Sequence, residues 1–185
     1  MKYRGFISVE VGGLSKILEF GEDLKRTKVR MKLVEADNIH MTLKFLGDVD
    51  ERKNERILEA MHRAVEGFQA FEMTLKGAGA FPGMNNIRVV WIGAEGAEAL
   101  SEIAARLNSY LKKVGFPPEE RGFTPHITIA RVKDRRHSAQ LSGLIESHGD
   151  TEFGVVRVVD IQLKRSFLTN EGPVYTTMGV ARLVG

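Results

Sequence analysis

Apolar and polar residues alternate in two registers along the chain, and the switches between them predict strands and helices in interleaved order. Tyr3 to Val11 has a period of two, with Ile7, Val9 and Val11 on one side and Gly12-Gly13 closing it, and reads as a strand. Leu14, Ile17, Leu18 and Leu24 keep to one face of a 3.6-residue period and predict a short amphipathic helix. Val29 to Val34 predicts a second strand. Ile39 to Leu46 predicts a third, because Ile39, Met41, Leu43 and Phe45 alternate with His40, Thr42 and Lys44. Asp48 followed three residues later by Glu51 resembles a capping box, predicting a helix that buries Ile57, Leu58, Met61 and Val65 and ends at Gly67.

The second half runs similarly. Phe68 to Lys76 predicts a strand, and the run Gly77 to Asn86 is the strongest break in the chain. Ile87 to Gly93 predicts another strand. Leu100, Ile103, Leu107, Leu111 and Val114 mark a helix, stopped by Gly115-Phe116-Pro117-Pro118. Pro125 to Val132 alternates again, followed by a short helix near Ser138 to Ile145, a strand around Phe153 to Leu163 and an extended segment around Val174 to Leu183. Both halves thus carry strand, helix, loop, alternating strand, helix and strand in the same order. That order predicts an α+β fold, a single two-lobed domain over residues 1–185 with sequence halves of roughly 1–80 and 86–185.

Composition narrows the function classes. At 185 residues with 43% hydrophobic positions, the chain can bury a core without covalent staples, and disordered or fibrous classes are excluded. It has no cysteine, which excludes disulfides, zinc–thiolate and iron–sulfur sites and thiol catalysis, and agrees with a cytoplasmic location. Lys2, Arg4 and Glu10 interrupt any apolar leader, and no stretch approaches a membrane span, so no membrane partner is expected. The net charge of +3 permits an anionic partner such as a nucleic acid without requiring one.

The candidate chemistry lies in a repeated word. His40-Met41-Thr42-Leu43 and His126-Ile127-Thr128-Ile129 stand at matched places in the two halves. On a strand, His and Thr two apart share a face while the apolar residues between them point into a core. Two such strands related by a pseudo-two-fold axis would set two imidazoles and two hydroxyls around one spot. In-line displacement at phosphorus uses that set: one imidazole accepts the nucleophile's proton, the other protonates the leaving oxygen, and hydroxyls hold the non-bridging oxygens. The competing reading is of ordinary polar residues on half-exposed strands; the repetition, in a chain with five histidines, favours a shared site. His62, His137 and His148 lack a partner motif and read as surface residues. No metal is expected, since the histidines have no third ligand at a suitable interval and Thr is a poor transition-metal ligand. A phosphate loop and a nucleophile elbow are also missing.

These motifs resemble the twin signatures of the two-histidine phosphoesterases, in particular the bacterial and archaeal RNA 2′,3′-cyclic phosphodiesterases, also called 2′-5′ RNA ligases. The likeness extends to Arg4-Gly5-Phe6-Ile7, to Phe81-Pro82 with Arg88-Val89-Val90-Trp91-Ile92-Gly93, and to Phe123-Thr124-Pro125 ahead of the second motif. It continues through Ala130-Arg131 and the spacing Ser166-x-Leu168-x-x-x-Gly172-x-x-Tyr175. The resemblance implies two pseudo-symmetric lobes of antiparallel sheet, helices outside and a central cleft. It implies metal-independent hydrolysis of a ribonucleoside or RNA 2′,3′-cyclic phosphate to a 2′-phosphate; no cofactor is expected, and a monomer is the expected state, with the oligomeric state left open by the sequence. His40 would be the proton donor and His126 the acceptor, with Thr42 and Thr128 on the phosphate.

Arg131 would be the phosphate-binding cation and Phe123 a substrate-binding aromatic. Five residues on from His126, however, Arg131 belongs to the opposite face of a regular strand, so it reaches the site only if the strand twists, bulges or ends. The residues leave a surface role for Arg131 and a core role for Phe123 open. Arg4, Lys44 and Arg88 could follow a phosphate backbone or simply solvate the surface. The ligase name implies attack on the cyclic phosphate by a 5′-hydroxyl, giving a 2′-5′ linkage. A catalytically silent RNA- or nucleotide-binding module, and a phosphodiesterase for another cyclic nucleotide derivative, are the alternative readings.

Overall fold

A computed structural model describes residues 1–185. The chain forms nine strands and four α-helices: β1 (Lys2–Glu10), α1 (Ser15–Arg26), β2 (Met31–Leu33), β3 (His40–Asp50), α2 (Asn54–Val65), β4 (Phe71–Gly83), β5 (Asn86–Glu95), α3 (Glu98–Lys112), β6 (His126–Val132), α4 (Ala139–Ser147), β7 (Glu152–Val158), β8 (Asp160–Thr169) and β9 (Gly172–Arg182). The expected α+β class holds. The strands make two antiparallel sheets, in the orders β3-β1-β8-β9 and β2-β6-β5-β4-β7. Helices α2 and α3 pack on the first sheet, and α1 and α4 on the second. One continuous apolar core extends from Tyr3 to Leu183.

The lobes do not follow the halves 1–80 and 86–185. The first sheet takes β1 and β3 from one half and β8 and β9 from the other, while β2 crosses over to pair with β6. The segment read as one strand around Phe153 to Leu163 is two: β7 ends at Val158, β8 begins at Asp160, and they lie in different sheets.

Other departures are local and have local reasons. β3 continues to Asp50, so Asp48 is a strand residue and no capping box forms there. The Asp50 carboxylate instead accepts from the Arg52 backbone N–H, capping a 3₁₀ turn at Glu51–Lys53 that leads into α2. In α1, Ile17, Phe20, Gly21 and Leu24 face the core, whereas Leu18 is 43% exposed, because the buried stripe is centred one position away from the apolar pattern. His148 is half-buried rather than a surface residue: its ring lies 4.8 Å from that of Phe20 and 6.1 Å from that of Phe153.

The glycine-rich run does not break the sheet. β4 passes through it to Gly83, with a bulge between Leu75 and Ala78, and turns back into β5. Small residues are required there because Trp91, opposite Gly79 in the register, lays its indole across the space a side chain would fill. Gly79→Ala forces that ring to move and is expected to destabilise the fold by about 1–3 kcal/mol. Gly83→Ala, where a Cβ meets nothing within 4 Å, is the control. Urea midpoints that match for the two variants would show that the indole does not occupy the Gly79 face.

Candidate active site

Each motif histidine is the first residue of its strand, and β3 packs against β6. Both strands repeat one exposure pattern over seven residues: half-buried His, buried, half-buried Thr, two buried, one exposed, one buried. The intervening Met41, Leu43, Ile127 and Ile129 lie in the core, which turns His40 with Thr42, and His126 with Thr128, to the other face.

The two consecutive buried positions mark a bulge in each strand. In β3, Ser8 pairs with Thr42 but Ile7 with Lys44, so Leu43 is an extra residue. In β6, Trp91 pairs with Thr128 but Val90 with Ala130, so Ile129 is extra. One inserted residue reverses the alternation beyond it. The side chain five residues after the histidine therefore returns to the histidine's face: Arg131 in β6 and Phe45, 65% exposed, in β3. The charge of Arg131 disfavours protonation of His40 and favours ionisation of Tyr175.

The imidazoles are held alike. His40 Nδ1 lies 2.6 Å from the carbonyl oxygen of Asn38, and His126 Nδ1 lies 2.7 Å from that of Thr124. A carbonyl can only accept, so each Nδ1 carries the hydrogen and each Nε2 is left to accept or relay a proton. His40 Nε2 lies 3.0 Å from Thr42 Oγ1.

Their surroundings differ. The His40 ring packs against Phe6 at 4.9 Å between centroids and meets Tyr175 edge-on at 5.4 Å. His126 meets Phe81 edge-on at 5.1 Å, and Phe81 leans on Trp91. Burial pushes His40 below its ordinary value; the bond to the Asn38 carbonyl and the Glu10 carboxylate oppose that shift, and the charges of Lys164 and Arg131 add to it. Glu10 is the register partner of His40 on β1 and is 3.2 Å from Lys164, which also donates to Thr177 Oγ1 at 2.8 Å. Burial also raises Tyr175, with Arg131 pulling it down.

The remaining candidates have structural places. Phe123 is half-buried and packs against the core. Arg4 is 3.5 Å from Asp48, and Arg88 donates to the Asp134 carbonyl. Lys44 solvates nothing: it is 1% exposed, and its Nζ donates to the Pro117 carbonyl at 2.7 Å while the Phe45 N–H donates to Glu119 at 3.2 Å. The loop leading to Thr124 and His126 is thereby tied to β3. No group of three or more His, Asp or Glu side chains is placed to hold a metal ion.

Sequence reading missed Asn38, Glu10, Tyr175, Phe6 and Phe45 as site residues. Asn38 also donates from its side chain to the Pro173 carbonyl at 2.9 Å, linking the β8–β9 hairpin to the His40 support. Phe6 and Tyr175 stand in the stretches that carry the family resemblance, and Phe45 stands five residues after His40, as Arg131 does after His126; Asn38 and Glu10 had no such signal.

A family model described as the 2′-5′ RNA ligase superfamily matches residues 15–165. The chain is 41% identical over 185 residues to a protein of Methanothermobacter thermautotrophicus named RNA 2′,3′-cyclic phosphodiesterase, covering 99% of this chain and 100% of that one. Among solved structures, a protein of Thermus thermophilus matches with a TM-score of 0.80 at 28% identity, over 98% of each chain. E. coli LigT complexed with 3′-AMP matches with a TM-score of 0.73 at 25% identity, over 100% of each chain.

The His40 environment has a stability consequence. Its folded value lies below the ordinary 6.5, so the folded state binds fewer protons than the unfolded state in the window just below 6.5, and stability falls as pH drops through it. Urea unfolding at pH 7.5 and 5 is expected to show a larger acid loss for wild type than for His40→Ala. Equal losses would show that His40 is not shifted.

Proposed function

Since the chain belongs to the 2′-5′ RNA ligase superfamily, we propose that it hydrolyses RNA or nucleotide 2′,3′-cyclic phosphates to 2′-phosphates by paired histidine acid–base catalysis. The observation that carries the reading is the matched pair of imidazoles, each bonded through Nδ1 to the carbonyl two residues earlier, so that Nε2 is the nitrogen left to exchange a proton.

In this reading water attacks phosphorus and gives its proton to His126 Nε2, while the bond from phosphorus to the 3′ oxygen breaks and that oxygen takes a proton from His40 Nε2. The 2′-phosphomonoester remains. Burial alone favours neutral His40; the phosphodiester anion against its Nε2, with the Asn38 carbonyl on Nδ1, favours the protonated donor the step needs. The Thr42 and Thr128 hydroxyls hydrogen-bond the non-bridging oxygens, and Arg131 offers a guanidinium where charge accumulates. A 5′-hydroxyl attacking in place of water requires the same two proton transfers and yields a 2′-5′ linkage.

The test uses a short RNA ending in a 2′,3′-cyclic phosphate, with EDTA present and the phosphate position of the product determined. Wild type is expected to form the 2′-phosphate, and His40→Ala and His126→Ala each to lose about 10²–10⁴ in kcat while remaining folded. Full activity in either variant would overturn the mechanism. RNA binding without turnover by wild type would replace the enzyme with a silent binding module.

A further inference from the structure

Lys32 and Arg131 are direct partners in the β2–β6 register, so their side chains share the face that carries Arg131 toward the histidines. Both are exposed. Some exposed cations are matched to carboxylates, as with Arg4, Arg52 and Arg136. Lys32 and Arg131 have no carboxylate within ion-pair distance. Like charges facing each other across strands destabilise a sheet.

Their reach differs. Arg131 is on β6, the strand that carries His126 and Thr128, whereas Lys32 stands one strand further out, on the open edge of its sheet. The Lys32 ammonium leans over the β8–β9 hairpin, where a Cβ added to Gly172 would stand 3.0 Å from Nζ. The neighbouring Pro173 receives Asn38, and Tyr175 beyond it contacts His40. Lys32 thus lies at the rim where the two lobes meet, displaced from Arg131 by one strand spacing, about 4.8 Å.

Resting on the function proposed above, we infer that Arg131 and Lys32 receive successive phosphates of one RNA strand: Arg131 the cyclic phosphate, and Lys32 the phosphodiester immediately 5′ of the terminal nucleoside. The edge position of β2 lets the strand leave over it into solvent. The substrate selected is an oligonucleotide end, and Lys32 binds it without taking part in proton transfer.

The test compares kcat/KM for a nucleoside 2′,3′-cyclic phosphate and for a dinucleotide with the same cyclic end, in wild type, Lys32→Ala and Lys32→Arg. Wild type is expected to prefer the dinucleotide, and Lys32→Ala to lose about tenfold on it through KM, with a change of less than about twofold on the mononucleoside. Lys32→Arg is expected to restore the preference. The dinucleotide's salt dependence, as log KM against log salt, is expected to weaken by about 0.7 in Lys32→Ala. Equal losses on both substrates, or no loss on either, would overturn the inference. Should wild type turn over neither substrate, the proposed reaction fails and the subsite is judged by binding of a dinucleotide 3′-phosphate. A weaker Kd in Lys32→Ala then supports it, and an equal Kd overturns it.

Discussion

An imidazole can exchange protons in a defined direction only when one of its nitrogens is committed elsewhere, and the site depends on that constraint. In both motifs the commitment is a bond from Nδ1 to the carbonyl two residues before the histidine. The bond needs no other side chain, only a backbone that arrives at the strand from the right direction. It sets the tautomer, orients the ring and directs Nε2 to the position that the threonine two residues on also faces. The local chain paths at Asn38–Thr42 and Thr124–Thr128 are alike for this reason.

A second backbone device completes the set. The extra residue in β3 and in β6 turns an odd spacing into a same-face spacing, recruiting the fifth residue after each histidine. The duplication is geometric and not chemical: one lobe presents an exposed phenyl at that place, the other a guanidinium. The histidines diverge in the same manner. His40 is enclosed by Phe6 and Tyr175, whereas His126 rests against Phe81, itself leaning on Trp91. A symmetric scaffold thereby holds two imidazoles in unequal environments, which suits a displacement in which one donates and the other accepts.

The lobes are held in register by contacts distant in sequence. Lys44, buried on the core side of β3, anchors the Pro117 carbonyl and with it the loop that supplies Thr124. Asn38 joins the His40 support to the β8–β9 hairpin through Pro173. Each histidine's carbonyl partner is therefore reached by a contact originating in another part of the fold. Polar groups withdrawn from water lose much if unpaired, so these links resist small displacements of one motif relative to the other.

Much of the fold was legible in the chain. Period-two runs located β1, β3 and β6, the 3.6-residue runs located α2 and α3, and the repeated His-x-Thr pair marked the candidate site, because side-chain alternation is a property of the local backbone. The break at Val159 was hidden because no glycine or proline separates β7 from β8, and membership in different sheets depends on distant partners. The continuation of β4 through Gly77–Gly83 was hidden because small residues signal a turn until Trp91 is seen to need their space. The bulges at Leu43 and Ile129, the burial of Lys44 and the meeting of Lys32 with Arg131 depend on register between strands far apart in sequence. Local pattern was enough to say which side chains could perform the chemistry and which faces they share within a strand. Which strands meet was settled in the folded molecule alone, because pairing partners are chosen by burial across the whole core and not by neighbours along the chain.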